Sequence, residues 1–106
     1  ILAREVDEIY CTSVNDGFVM KAWFEHLCLD QGLGLKYLAD GNGQFARRMG
    51  MLVDKNNLGF GRRSWRYAAL INDGVIEVFL PEIGICDNCT TDPYEESTPE
   101  NLISQL

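Results

Sequence analysis

The sequence predicts an α/β fold with a mixed sheet, and three observations support this. Apolar, β-rich segments alternate with helical segments in the order strand, helix, strand, helix, hairpin, helix. Two apolar runs, residues 65–71 and 75–80, flank Asn72-Asp73-Gly74, a strong local signal of an antiparallel hairpin. The length of 106 residues leaves no room for a second core. We therefore expect residues 1–106 to form a single domain.

The first half of the chain reads as two strand-helix units. Residues 9–14 are rich in β-branched and aromatic side chains and predict a buried strand. Asp16 is suited to cap a helix over residues 17–28, and the narrow polar stripe of that helix predicts that most of its surface is covered. A strand at residues 35–39, a Gly-Asn-Gly turn and a short helix ending at Gly50 follow.

The second half begins with a loop predicted over residues 56–64, which contain two glycines and two adjacent asparagines. The hairpin comes next, and residues 81–98 read as a long loop. Thr98 is then expected to cap a final helix that starts at Pro99. Its predicted inner face is formed by Leu102, Ile103 and Leu106.

Charge is unevenly distributed along the chain. The net charge is -7, yet residues 47–66 carry six basic side chains and one acid, and residues 67–106 carry eight acids and no base. The overall acidity argues against general binding of nucleic acid. Because no apolar run reaches membrane-spanning length and no signal-peptide pattern is present, we expect a soluble cytoplasmic protein, or an organellar one in a eukaryote, without a membrane partner.

The basic segment supports three interpretations. Arginines alternate with aromatic residues over positions 59–67, a pattern that could stack on single-stranded nucleic acid. Alternatively, the arginines form ion pairs with the acidic C-terminal part. In a third interpretation Arg66, which enters the hairpin, stabilises an anion in a site, and the other five bases are surface or interface charges.

The four cysteines divide into two groups. Cys11 in a strand and Cys28 on an apolar helix are expected to be small buried hydrophobic side chains. Cys86 and Cys89 form a Cys-x-x-Cys in a polar loop, which suits a disulfide, half of a zinc site or secondary redox exchange. A second pair of zinc ligands at the right spacing is missing, so no metal is expected.

Two further signals are weak. Gly41-Asn42-Gly43 follows a strand as in dinucleotide-binding loops, but the helix after it is too short to hold a pyrophosphate, and a plain turn is expected. His26 has no sequence partners for a catalytic triad. We therefore expect no cofactor.

Several motifs together carry a resemblance to a known family over almost the whole chain. The segments are Val6-Asp7-Glu8-Ile9, Ser13-Val14-Asn15-Asp16, Phe18-Val19-Met20-Lys21-Ala22-Trp23, Ala39-Asp40-Gly41-Asn42-Gly43, Gly59-Phe60-Gly61, Arg63-Ser64-Trp65-Arg66-Tyr67 and Asn101-Leu102-Ile103-Ser104-Gln105-Leu106. With these segments the chain resembles the peroxiredoxin type II group, also called the peroxiredoxin-five-like or redoxin group.

The resemblance implies a thioredoxin-like fold and a thiol-dependent peroxidase. The implied substrates are hydrogen peroxide and alkyl hydroperoxides, and the implied reductants are glutathione, glutaredoxin or thioredoxin. Family members also lead us to expect a homodimer. An arginine matching Arg66 holds the peroxidatic cysteine as thiolate and polarises the peroxide, in agreement with the anion-site interpretation.

The chain also departs from the family pattern. The peroxidatic cysteine of the family lies in a Pro-x-x-x-Thr-x-x-Cys segment before the strand that matches residues 9–14, and residues 1–106 do not contain it. Cys11 matches a position that is not the nucleophile. We therefore expect an incomplete thioredoxin-like domain from an N-terminally truncated fragment, inactive alone. The alternative is a non-catalytic assembly remnant, suggested by the apolar helix over residues 17–28.

Overall fold

The computed structural model describes residues 6–29, 31–32 and 34–106. Its elements follow the predicted order, with an additional short strand pair in the middle of the chain. In chain order the elements are β1 (Ile9–Ser13), α1 (Gly17–His26), β2 (Leu35–Ala39), α2 (Gln44–Arg48), β3 (Leu52–Asp54), a 3₁₀ turn (Asn56–Leu58), β4 (Arg62–Ser64), β5 (Tyr67–Asn72), β6 (Val75–Pro81) and α3 (Pro99–Ser104).

The first unit is a parallel pair, β1 and β2, connected through α1. Ile9 lies opposite Leu35 at one end of the pair. The carboxylate of Asp16 accepts a 2.9 Å hydrogen bond from the main-chain N–H of Val19, which confirms the predicted helix cap. The helix ends before Cys28, whose φ of 58° is left-handed.

The turn after β2 is organised by Asp40. Its carboxylate accepts hydrogen bonds from the main-chain N–H groups of Phe45 (3.0 Å) and Ala46 (2.9 Å) at the start of α2. Gly43 has a φ of 69°, and a Cβ there would lie 3.0 Å from Leu52 Cδ1. The Gly-Asn-Gly segment is therefore a structural turn that fixes where α2 begins.

The predicted hairpin is confirmed as β5 and β6, with Asn72 opposite Val75. Asp73 and Gly74 between them have φ angles of 51° and 77°, as a tight hairpin turn requires. Because β5 begins at Tyr67, Arg66 lies directly before the strand rather than within it.

The C-terminal helix also follows the prediction. The hydroxyl of Thr98 accepts a 3.2 Å hydrogen bond from the main-chain N–H of Asn101, which caps α3. Leu102 and Ile103 are half-buried as expected, whereas Leu106 is exposed. The predicted inner face is therefore right for two of its three residues.

The prediction of a plain loop over residues 56–64 is wrong. Residues 56–58 form a 3₁₀ turn, and β4 pairs antiparallel with β3, so that Asp54 lies opposite Arg62. Both strands are only three residues long, and β4 is the polar segment Arg62-Arg63-Ser64. No apolar alternation marks such a strand in the sequence.

A single mixed sheet was expected, and the pairing differs from this. In residues 6–29, 31–32 and 34–106 the strands form one parallel and two antiparallel pairs, each a separate two-stranded sheet. Within this part of the chain β1 pairs with β2 alone and β5 with β6 alone. One edge of β1 and one edge of β5 are therefore open to pairing with a further strand.

The main buried cluster lies in the second half of the chain. It consists of Met51, Val53, Trp65 and Cys89, with Met49 and Tyr67 packed against it. Val53 lies in β3, Trp65 lies two residues before β5, and Cys89 lies in the long C-terminal loop. Burial of these side chains therefore attaches the loop that contains Cys89 to the hairpin.

The predicted covering of α1 is wrong. Met20 and Phe24 are buried, and the Phe24 ring packs edge-on against Tyr37 at 5.0 Å. Phe18, in contrast, is 88% exposed, and Trp23 is 42% exposed. The helix therefore presents an apolar surface to solvent in the described structure.

Candidate functional site

Arg66 lies between β4 and β5, and its guanidinium contacts the C-terminal loop. Its Nη1 donates a 2.9 Å hydrogen bond to the carbonyl of Pro93. The carboxylate oxygens of Asp92 each lie 3.4 Å from a guanidinium nitrogen, and the Tyr94 ring centroid lies 5.2 Å from Cζ. The Arg66 side chain keeps 42% of its surface exposed. A held but accessible guanidinium is suited to binding an anion.

The loop beside Arg66 is anchored by Glu82, which follows β6. The Glu82 carboxylate is buried and accepts main-chain hydrogen bonds from Glu95 (2.8 Å), Glu96 (3.0 Å) and Ser97 (2.6 Å), together with one from the Ser97 hydroxyl. Burial alone would raise its pKa, but the Ser97 hydroxyl and the three amides lower the pKa to about 2. Glu82 is therefore a charged anchor for residues 95–97.

Sequence reasoning missed Glu82. It is one of eight acids in the C-terminal forty residues, and its spacing from Ser97 fits no known motif. The structure gives it a distinct role because its main chain also connects the hairpin: its N–H donates to the Arg66 carbonyl at 3.1 Å, and its carbonyl accepts from the Trp65 indole at 2.7 Å.

Cys86 and Cys89 are joined in a disulfide, one of the three uses that their spacing suggests. The residues between them dock onto β3 and the 3₁₀ turn. The main-chain N–H of Asp54 donates to the Asp87 carboxylate at 2.8 Å, and the N–H of Asn88 donates to the Asp54 carbonyl at 2.7 Å. Cys89 itself is buried in the same cluster as Trp65, the neighbour of Arg66. The two groups of predicted site residues are therefore linked through Trp65.

The other two cysteines are both free thiols. Burial raises the pKa of the Cys11 thiol, which favours the unreactive protonated form. This agrees with the prediction that Cys11 is not the nucleophile. Cys28 is exposed, so the expectation that it is buried is wrong. The helix ends at His26, two residues earlier than predicted, and Cys28 lies in the turn beyond it.

Arg63 was expected to be a surface or interface charge, and the structure instead gives it contacts within the fold. Its Nη1 donates hydrogen bonds to the Val14 carbonyl (2.6 Å) and to Asn15 Oδ1 (3.0 Å), and its Nε donates to the Phe60 carbonyl (2.9 Å). Arg63 thus connects β4 to the end of β1. The polar, positively charged segment contains a structural arginine and an accessible arginine three residues apart.

In one interpretation the arginines pair with the acidic C-terminal part, and of Arg62 and Arg66 only Arg66 does so. Arg66 contacts Asp92 in the acidic C-terminal part, whereas the exposed Arg62 lies 3.4 Å from Asp54. Lys55 lies over the Trp65 ring at 5.5 Å. Of these three bases, Arg66 alone reaches the C-terminal loop.

A groove of about 640 Å³ runs between the end of β1 and α1, lined by Ser13, Asn15, Val19, Ala22, Trp23 and His26. His26 lies here without a catalytic partner in the described residues that would form a triad. Among residues 6–29, 31–32 and 34–106, no cluster of acidic, cysteine or histidine side chains could hold a metal ion. No helix of the described chain is long and apolar enough to cross a bilayer.

Comparison with known proteins identifies the family. A family model described as Redoxin matches residues 1–81. The chain belongs to the redoxin family. Among its relatives is a peroxiredoxin from Rhizobium etli, 57% identical over 102 residues, which are 95% of this chain and 55% of the relative. The chain spans about half the length of the curated peroxiredoxins that it matches.

Solved peroxiredoxin structures share this redoxin fold. An X-ray structure of a peroxiredoxin superposes with a TM-score of 0.90 at 36% identity, covering 97% of this chain and 58% of the other. Reduced Prx3 from Vibrio vulnificus in complex with hydrogen peroxide gives 0.83 at 35% identity, covering 99% of this chain and 61% of the other. The assignment to the peroxiredoxins and the thioredoxin-like α/β fold are therefore confirmed.

Proposed function

We propose that this chain is part of a thiol-dependent peroxidase that reduces hydrogen peroxide and alkyl hydroperoxides. The proposed reductants are glutathione, glutaredoxin or thioredoxin. We also propose a cytoplasmic location, because the glutathione and thioredoxin systems keep thiols reduced in the cytoplasm. The observation that supports the proposal most directly is the held but accessible guanidinium of Arg66, at the position of the arginine that the family uses to bind its peroxide.

The proposed chemistry needs a cationic group beside a thiolate. The thiolate sulfur attacks one peroxide oxygen, so that an S–O bond forms while the O–O bond breaks. The departing oxygen gains negative charge and leaves as water or alcohol after taking up a proton. Two reductant thiols then convert the sulfenic acid back to a thiol, releasing water and a disulfide. Arg66 would stabilise both the thiolate and the departing oxygen.

We further propose that the nucleophilic cysteine comes from a Pro-x-x-x-Thr-x-x-Cys segment outside residues 1–106. The raised pKa of Cys11 and the disulfide between Cys86 and Cys89 disfavour a nucleophile among these three residues. The open edges of β1 and β5 suit a strand that leads to such a cysteine. Residues 1–106 alone would then be an incomplete thioredoxin-like domain that lacks this segment.

The test compares two proteins in a peroxide-consumption assay with dithiothreitol. One is the 106-residue chain, and the other is the same chain extended by the cysteine segment of a peroxiredoxin relative. We expect turnover from the extended protein, its loss when the added cysteine becomes serine, and none from the short chain. Appreciable turnover by the short chain with Cys11, Cys86 and Cys89 all replaced would contradict the proposal.

Cys86 and Cys89 are proposed as a secondary redox pair. Reduction of their disulfide would consume two electrons and two protons from a dithiol and release both thiols. Equilibration in glutathione buffers of defined potential, followed by thiol alkylation and mass measurement, gives the reduction potential of the pair. If the disulfide stays intact at cytosolic potentials, the Cys86–Cys89 pair is a structural crosslink and not a redox pair.

A second candidate function is assembly without catalysis, through a homodimer. The observation that favours it is the exposed apolar surface of α1, where Phe18 and Trp23 face solvent. Sedimentation of the chain at micromolar concentration should then show a dimer, and Phe18→Glu should convert it to monomer while Glu25→Gln, a polar change on the same helix, should not. A monomer at that concentration would eliminate the assembly role.

A further inference from the structure

The contacts of Arg66 with the C-terminal loop come from consecutive residues, Asp92, Pro93 and Tyr94, here called the Arg66 clamp. The Pro93 carbonyl accepts from one terminal nitrogen at 2.9 Å, the Asp92 carboxylate pairs with both at 3.4 Å, and the Tyr94 ring packs at 5.2 Å from the guanidinium carbon. A carbonyl, a carboxylate and an aromatic face are three different ways to bind a guanidinium. Together they restrict its position and its orientation.

The two clamp side chains are themselves largely exposed. The Asp92 side chain is 80% exposed and Tyr94 is 56% exposed, so neither contributes much to a core. A surface ion pair of this kind contributes little to stability. Their contacts with Arg66 therefore suggest a role in holding the guanidinium rather than in maintaining the fold.

The clamp is fixed on both sides along the chain. On its C-terminal side the Glu82 carboxylate binds the main-chain amides of residues 95–97. On its N-terminal side the Asn88 N–H donates to the Asp54 carbonyl at 2.7 Å, and Cys89 is buried in the cluster that contains Trp65. Because Glu82 and Trp65 are also bonded to each other, both anchors hold the clamp in a fixed relation to Arg66.

We propose that residues 92–94 are positioning residues for Arg66: Pro93 and Tyr94 hold the guanidinium in place, and the Asp92 charge reduces its positive field. This inference rests on the proposed peroxidase function. The guanidinium N–H groups that have no partner among the described residues would then bind the thiolate and the peroxide oxygen. The clamp would therefore set both the orientation of the donors and the strength with which they stabilise negative charge.

The test uses the peroxidase-active extended protein. Tyr94→Ala should lower kcat/KM about two- to fivefold, the range expected for an exposed cation–π contact, and Tyr94→Phe should restore it. Asp92→Asn keeps an acceptor oxygen but removes the charge, so the pKa of the nucleophilic thiol, measured by the pH dependence of alkylation, should fall. Ile83→Ala and Glu95→Gln are matched controls in the same loop and should change neither quantity.

Double variants separate failure of the clamp from failure of the function. In an Arg66→Ala background, Tyr94→Ala should cause no further loss of kcat/KM, because the group it positions is gone. Suppose that Arg66→Ala greatly lowers kcat/KM, but Tyr94→Ala leaves kcat/KM unchanged and Asp92→Asn leaves the thiol pKa unchanged. This result overturns the proposed role of the clamp and leaves the proposed role of Arg66 standing. Unchanged activity in Arg66→Ala overturns the proposed role of Arg66 and the clamp with it.

Discussion

The indole Nε1 of Trp65 donates a 2.7 Å hydrogen bond to the main-chain carbonyl of Glu82, across the open end of the hairpin. The N–H of the same glutamate donates to the Arg66 carbonyl at 3.1 Å. The Glu82 carboxylate meanwhile binds residues 95–97. One residue therefore couples the start of β5 to the loop that holds the Arg66 guanidinium.

This arrangement predicts that Glu82→Gln destabilises the fold, because an amide cannot accept four hydrogen bonds as a carboxylate does. In the folded chain the pKa of Glu82 is about 2, below its ordinary value of 4.5. A lowered pKa means that the carboxylate contributes stability that is complete above pH 4.5 and lost as the pH falls toward 2. Urea unfolding from pH 7 to pH 2.5 measures this dependence.

The control for Glu82 is Glu95→Gln, which removes an exposed carboxylate from the same loop. It should leave both the stability and its acid dependence close to those of the parent chain. If Glu82→Gln keeps the full loss of stability that the parent chain shows below pH 4.5, the acid sensitivity arises from other carboxylates.

A second prediction concerns Arg63, which joins β4 to the end of β1. Arg63→Ala leaves the Val14 carbonyl and the Asn15 amide oxygen without their donor. The expected cost is about 1–3 kcal/mol in the free energy of unfolding, as for other partly buried acceptors left unpaired. Arg62→Ala is the matched control, because that side chain is exposed and its ion pair with Asp54 contributes little. Equal losses for both variants would contradict the structural role of Arg63.

Arg66 and Arg63 show how much of the candidate site could be predicted from the sequence. Arg66 could be selected because it stands at the entry to a recognisable hairpin and matches a family position. The role of Arg63 could not be predicted, because it depends on contacts with residues 14 and 15, almost fifty positions away. Side chains that act between distant segments leave no local pattern.

The fold likewise contains features that the sequence could predict and features that it could not. The hairpin, the caps Asp16 and Thr98 and the β1–α1–β2 unit were predictable because each depends on neighbouring residues. The short β3–β4 pair was not, since three polar residues give no periodic signal. The exposure of α1 was missed because amphipathicity reports which surface could be buried, and not whether another segment covers it.

The disulfide leads to a third prediction. Replacing Cys86 and Cys89 with serine should lower the free energy of unfolding by about 2 kcal/mol, since the closed loop is short and constrains the unfolded chain only modestly. Cys28→Ser is the control, because that thiol is free and exposed. Denaturation under non-reducing conditions measures the difference, and the addition of dithiothreitol should abolish it. A difference that persists in dithiothreitol would mean that the serines disturb the packing around buried Cys89.

The final prediction distinguishes one functional arginine from a generally basic segment. In the extended protein, Arg66→Ala should lower kcat/KM about a hundredfold or more, the usual cost of removing a donor that stabilises developing negative charge. Arg66→Lys should recover only part of this loss, because an ammonium can neither form the forked contact with Asp92 and Pro93 nor present donors in one plane.

Arg47 provides the comparison, because it belongs to the same basic segment but lies exposed on α2. Arg47→Ala removes one positive charge without touching the clamp, so it should leave kcat/KM within about twofold of the parent value, as expected for an exposed charge at a distance. Steady-state peroxide consumption at low and high salt measures both variants. Comparable losses from Arg47→Ala and Arg66→Ala, both diminished at high salt, would mean that the segment acts through its total charge. A loss confined to Arg66→Ala and insensitive to salt would instead assign the effect to the geometry of a single guanidinium.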